Sequence, residues 1–243
     1  MNYKKPTLVE IYTELFFSRE FLTPEKFFDI VPKIKEIGMG TVEVGQPLMV
    51  RGETIKGDNI EQQIAPTPRV RCWNSDKSQL VQLSQDLLVV NLVGNYPGWE
   101  EYRSLFDSIL DKLRALSPTL KVKALALHTI DKFSRPQKDF ELSDYLNVGG
   151  PLIPSWYKSA KTPLDITLGK GFLEADGFNE QFRCSLRRGP ENFDLKATTA
   201  FKKMISSGEE ITTVLEDLHA DSTRCFESWI TDKTRGEVMG GAE

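Results

Sequence analysis

Between Arg69 and Val93 the chain reads RVRCWNSDKSQLVQLSQDLLVVNLV. Its first two runs, RVRCW and SQLVQL, read as strands. The third, LLVVNLV, is almost continuously apolar and predicts a central strand covered on both sides. Asn74-Ser75-Asp76-Lys77 and Ser84-Gln85-Asp86 separate the runs with side chains that hydrogen-bond to their own turns. Directly after them, GWEEYRSLFDSILDKLRAL changes period. Trp99, Tyr102, Phe106, Ile109 or Leu110, Leu113 and Leu116 recur every three to four residues, so a helix over this segment lays one apolar stripe on the meander.

The same reading extends to both ends. Thr7–Phe17 alternates like a half-buried strand. Thr23 and Pro24 open a helix with Phe27, Phe28, Val31 and Ile34 at helical spacing. Pro32 predicts a break or kink in it, because proline has no amide to donate, and Gly38-Met39-Gly40 predicts its stop. Thr41–Gly45 reads as a short strand, and residues 51–68, rich in proline, glycine and polar side chains, as a flexible loop. Lys121–Phe133 predicts a strand, and Ser143 a helical turn. Three further strands follow in TPLDITLGKGF, EQFRCSLRRG and NFDLKATTAF. A long helix then runs from about Glu209 to Thr231, with Ile211, Leu215, Leu218, Ser222, Cys225 or Phe226, and Trp229 along one side. Residues 234–243 predict a fraying tail.

The expected fold class is therefore α+β. Residues 1–243 form one globular unit with two similar lobes, each an antiparallel meander covered by a long helix. Each lobe has the order strand, helix, strands, helix, as in a duplication with halves 7–118 and 121–232.

Composition narrows the function classes. The chain has 243 residues and a net charge of −4, with 31 basic against 35 acidic side chains spread evenly over both halves. Nothing in that balance steers the whole protein onto nucleic acid. Three cysteines, Cys72, Cys184 and Cys225, are widely spaced and odd in number, which fits a reducing compartment rather than a disulfide framework. The N-terminus lacks the apolar core of a signal peptide, and no run spans a bilayer. These features predict a cytoplasmic protein with no membrane partner.

Candidate chemistry is sparse. Of the two histidines, His128 lies in an alternating strand with Ala124, Ala126 and Ile130 on its face. His219 lies off the apolar stripe of the last helix, as a solvated position. The cysteines and histidines are scattered singly, so no metal set and no cofactor is expected. No nucleophile elbow and no phosphate loop is present. Asp165, Lys170 and Glu174 are a poor basis for an acidic nuclease centre, and a hydrolase built on Cys225 or His128 needs adjacency that spacing does not show. No catalytic residue is assigned. Two binding candidates remain. Arg183, Arg187 and Arg188, with Lys196, Lys202 and Lys203 nearby in sequence, form a local basic patch; the bland reading is a solvated sheet face balanced by Glu180, Glu191 and Asp194. Trp156 and Tyr157, in a segment rich in glycine and proline, could anchor a partner or pack between the lobes.

Four stretches, LVEIYTELFF, RVRCWNSDKSQLVQLSQDLLVVNLVGNYPGWEEY, ELSDYLN and ESWITDK, together resemble a sporadically distributed, uncharacterised prokaryotic family. Some of its members are encoded near CRISPR or other defence genes. The resemblance implies an α+β fold of about this length and supplies no catalytic residues. Pro32 and the glycines after it depart from it, leaving the first helix less regular. The specificity of YPGWEE and ITDK has structural explanations: Trp99 staples the helix start, and Asp232 and Lys233 bond to turns at the helix end. With the lack of a catalytic set, the resemblance points to a non-enzymatic interaction or regulatory accessory protein of a defence system, binding a protein partner through sheet or loop surfaces. The alternative is a nucleic-acid-binding or processing protein using the basic patch.

Overall fold

A computed structural model describes residues 3–17, 24–56, 59–84, 86–116, 118, 121–136, 142–147, 164–170, 180–188 and 192–241. The chain is a mixed α+β protein. Its strands are β1 (Leu8–Phe17), β2 (Thr41–Lys56), β3 (Asn59–Trp73), β4 (Gln79–Leu83), β5 (Leu87–Val93), β6 (Val122–Pro136), β7 (Leu164–Lys170), β8 (Glu180–Arg188) and β9 (Asn192–Met204). The helices are α1 (Pro24–Lys35), α2 (Trp99–Leu116), α3 (Leu142–Tyr145) and α4 (Ile211–Trp229), followed by a π-helical turn, Thr234–Val238. None of the described helices is long and apolar enough to cross a membrane. The residues divide into two compact units: Met1–Tyr12, Gly94–Tyr96 and Leu125–Glu243 make unit 1, and Thr13–Val93 with Pro97–Ala124 make unit 2.

In unit 2 the strand order is β2-β3-β4-β5-β1. The first two runs fall in β3 and β4, paired antiparallel from Val70↔Leu83 to Trp73↔Leu80. The Asn74 side chain accepts the Gln79 amide at 3.0 Å, and Asp76 accepts the Ser78 amide at 3.0 Å, so the turn's own residues close it. Lys77 takes a positive φ of 59° there. Leu88 through Leu92 of β5 are all buried, as expected for a strand covered on both faces. α2 buries Tyr102, Phe106, Ile109, Leu110 and Leu113, the predicted stripe. Removing each of these from water stabilises the fold by roughly 1.5–3 kcal/mol.

Of the break or kink expected at Pro32, the break is absent: α1 runs through Pro32, and the Glu36 amide still bonds to the Pro32 carbonyl at 3.2 Å. Proline forfeits only its own bond, and buried Ile30 and Ile34 hold the turns on either side of it. The helix stops where expected, with Gly38 at φ 92°.

Residues 51–56 and 59–68, expected as part of a loop, lie in strands. β2 and β3 pair with each other from Thr41↔Trp73 out to Lys56↔Asn59, interrupted by a bulge between Gly45 and Leu48 that contains Pro47. β4 pairs only with Val70–Trp73 of β3, so the rest of this ladder is a two-stranded ribbon. Pro66 and Pro68 occupy alternate positions of β3, so both missing amides fall on one side of the strand. A ribbon with an unpaired outer side tolerates that.

In unit 1 the order is β1-β6-β9-β8-β7. β7–β8 and β8–β9 are antiparallel, with Arg183 opposite Thr167 on one side and Thr198 on the other. α4 covers one face through buried Ile211, Val214, Leu215, Leu218, Ser222 and Cys225. Cys225, not Phe226, is the buried member of the expected alternative.

The predicted tail is also ordered as far as residue 241. The Lys5 amide bonds to the Met239 carbonyl at 3.0 Å, the Lys4 amide bonds to the Gly241 carbonyl at 3.5 Å, and Met239 is buried. A polar sequence predicts fraying only when its backbone has no partner, and here the N-terminal segment supplies one.

Candidate functional site

The two faces of the unit 1 sheet differ in kind. Toward α4, β6 presents Thr129, Asp131 and Phe133, all buried, and β9 presents Leu195, Ala197, Thr199 and Phe201, also buried. Three hydroxyls meet on that side: Thr129 lies 2.6 Å from Thr199, and Thr199 lies 2.9 Å from Ser222 of α4. Thr7 donates to the fully buried Asp131 carboxylate at 2.8 Å. Burial pushes the Asp131 carboxyl up to about 7, and the Thr7 bond only partly opposes that shift.

Residues of the opposite parity form the other face, where Ala126 is buried and His128, Ile130, Lys132 and Ser134 are half-exposed to exposed. Ser134 donates to Asp194, and Thr129 meets Thr199; both contacts fit one antiparallel register of β6 against β9. In that register His128 lies opposite Ala200 and Lys132 lies opposite Lys196. Lys132, Lys196 and Arg183 are exposed, and Lys202 is half-exposed. On β1, Tyr12 stacks on His128 with ring centroids 4.3 Å apart and planes 6° from parallel.

The register therefore sorts the basic residues that the sequence grouped together. Arg183 and Arg187 sit opposite Thr198 and Asp194, on the open face with Lys196 and Lys202. Arg188 sits opposite Phe193, one residue out of phase, at a register position of the other face. Lys203 turns to the helix side and forms ion pairs with Glu209 at 3.2 Å and Asp217 at 3.3 Å. Of the acids expected to balance the patch, Asp194 shares the open face. Glu180 pairs with Phe201 at a position of the helix face, and Glu191 lies outside the described residues. Trp156 and Tyr157 also lie outside them. Tyr12, His128 and Lys132 complete the face. Their alternation in β1 and β6 was the signal available in sequence, but it did not say which strands are neighbours.

A second polar cluster joins two of the stretches that carry the family resemblance. Lys233 reaches the Asp144 carboxylate at 2.6 Å and stands 5.1 Å from the centroid of the Tyr145 ring. Thr231 and Thr234 donate to the carbonyls of Asp144 and Tyr145. The Asn147 side chain donates to the Ser228 and Ile230 carbonyls at 2.9 and 3.1 Å. Glu227 accepts from Tyr3 at 2.7 Å and from Arg235 at 3.1 Å, and Arg235 also pairs with Asp232 at 2.8 Å. Every one of these bonds ties a chain end or a helix end to its neighbour. The cluster is a clasp, in line with the structural explanation of ITDK.

Three other candidates, Cys72, Cys225 and His219, are placed as packing, and Glu174 lies outside the described residues. Cys72 is buried, and desolvation pushes its thiol up to about 11; Cys225 is buried beneath α4. His219 is half-buried rather than solvated, and desolvation pushes its imidazole down to about 4, leaving it neutral at pH 7. Among the described residues no group of three or more His, Cys, Asp or Glu side chains is placed to hold a metal ion. No protein-family model matches this chain, and no curated protein matches it.

Proposed function

We propose that this is a binding protein, not a catalyst, and that it holds an anionic macromolecule on the open face of the unit 1 sheet. One observation supports the reading above the others: in the register that fits the Thr129–Thr199 and Ser134–Asp194 contacts, exposed lysines 132 and 196 lie opposite each other on neighbouring strands, with exposed Arg183 on β8. Like charges set directly across a ladder destabilise it, and a bound anion turns that cost into affinity. The buried polar groups support the same reading, because those described in unit 1 are committed to internal bonds. Asp131 bonds to Thr7, Thr199 and Ser222 bond to each other, and Thr234 bonds to Tyr145. An accessory part in a prokaryotic defence system, as the resemblance implies, would use this same surface.

The experiment is affinity capture from a prokaryotic lysate with the full chain, comparing wild type and an Arg183→Glu/Lys196→Glu variant, with both proteins and nucleic acids identified. The reading expects acidic material held by wild type and released by the variant at equal thermal stability. Retention of the same material by both would overturn it.

A further inference from the structure

Resting on that reading, we infer that the occupant of the open face is a single-stranded nucleic acid, whose bases continue the Tyr12–His128 stack while its phosphates meet Lys132, Lys196 and Arg183. The stack is what distinguishes this occupant from an acidic protein. Two flat rings 4.3 Å apart and nearly parallel stand half-exposed on the same face as the cations. His128 and Lys132 share one face of one strand four positions apart, so ring and charge lie roughly 13 Å apart along it. That combination of a π surface with a nearby cationic track is the chemistry single strands need: stacking on the unpaired base, charge on the backbone. A duplex hides its base faces and offers this surface only its phosphates. An acidic protein gains from the charges but, unlike a single strand, does not carry a planar ring beside each charge of its backbone. Nothing here reads base edges, so binding is expected to tolerate sequence.

The test measures binding of labelled oligouridine and oligothymidine of about twelve nucleotides, within the span one such platform covers, against the corresponding duplex and polyglutamate of similar charge. The full-length chain is used, and each variant's melting temperature is checked. The inference expects the single strands to bind at least about tenfold more tightly than duplex or polyglutamate. Replacing the stack, by Tyr12→Leu or separately by His128→Gln, should weaken oligouridine roughly tenfold and leave the salt dependence unchanged. Tyr12→Phe, which keeps a ring, should bind like wild type. Arg183→Glu/Lys196→Glu should instead flatten the salt dependence, with a slope smaller by about one for each cation lost. Oligonucleotide binding that ignores both stack variants would overturn the inference. So would polyglutamate binding that depends on Arg183 and Lys196 while the oligonucleotides fail to bind; the anionic-partner reading would survive that result. If no polyanion depends on those two residues, both readings fall.

Discussion

The hydroxyl of Thr234 donates to the backbone carbonyl of Tyr145, a residue 89 positions earlier in the chain. Thr234 is completely buried, and the carbonyl it satisfies belongs to the last residue of α3, where no helical amide is available. Thr234→Val keeps the shape and leaves that carbonyl only the Thr231 amide at 3.2 Å, so it should cost about 0.5–1.5 kcal/mol in chemical denaturation. Lys233→Met removes a half-exposed ion pair with Asp144 and should change stability much less. Equal midpoints for Thr234→Val and wild type would show that the clasp does not hold α3 in place.

In unit 2, the Tyr102 hydroxyl lies beside that of Thr13 and donates to the Val90 carbonyl at 3.1 Å. It is the one polar tip on the buried stripe of α2, so it fixes where the helix sits on β5 and β1. Tyr102→Phe should destabilise by about 1–3 kcal/mol, and a cycle with Thr13→Val should show non-additivity of roughly 0.5 kcal/mol or more. Strictly additive losses would mean the two hydroxyls do not act together.

Asp131 makes stability depend on pH in a direction opposite to that of most carboxylates. Its carboxyl titrates near 3.8 when unfolded and near 7 in the fold, so the folded chain holds the proton more tightly. Its contribution is complete below about pH 3.8 and is lost as pH rises through 7. His219 acts in the opposite sense between about 6.5 and 4, because its folded form resists protonation. The two slopes overlap, and a substitution separates them. The melting temperature of Asp131→Asn, measured relative to wild type, should climb from pH 4 to 7 and then level off. A difference that stays flat across that range would contradict the burial of a lone carboxylate there.

Cys72 and Cys225 are both buried, and a thiol pushed up to about 11 carries almost no thiolate at neutral pH. Neither should react with a thiol reagent on the native chain within minutes, and Cys72 should become reactive only as unit 2 unfolds. Rapid labelling of Cys72 in native buffer would contradict this.

How far the sequence revealed this structure depends on whether each decision was local. The alternation at the end of β3, the unbroken apolar run of β5 and the stripes of α2 and α4 each record burial at fixed spacing, and all were readable; β4 is buried from Leu80 to Leu83, Gln82 included, so its polar positions marked no open face. The β2–β3 ribbon was not. Its prolines and glycines are turn signals, and only the pairing of Leu48 with Thr67 and of Ile55 with Ile60 makes it a ladder. The clasp was half readable: ITDK announced a helix end, but nothing in it named Asp144 or Tyr145 as partners. The basic patch shows the same limit. Alternation already separates Arg187 from Arg188, yet the contribution of Tyr12, His128 and Lys132 depends on β1, β6 and β9 being neighbours, which residue spacing does not encode.

The most direct measurement of the central claim is lysine footprinting by acylation and mass spectrometry. The full chain is compared alone and saturated with whichever polyanion binds it most tightly, oligouridine or polyglutamate. Lys132, Lys196 and Lys202 should lose most of their reactivity together, while Lys112, Lys203 and Lys233 should keep theirs. Protection that falls on the latter three and spares the open-face lysines would contradict the claim that this sheet face is the binding surface.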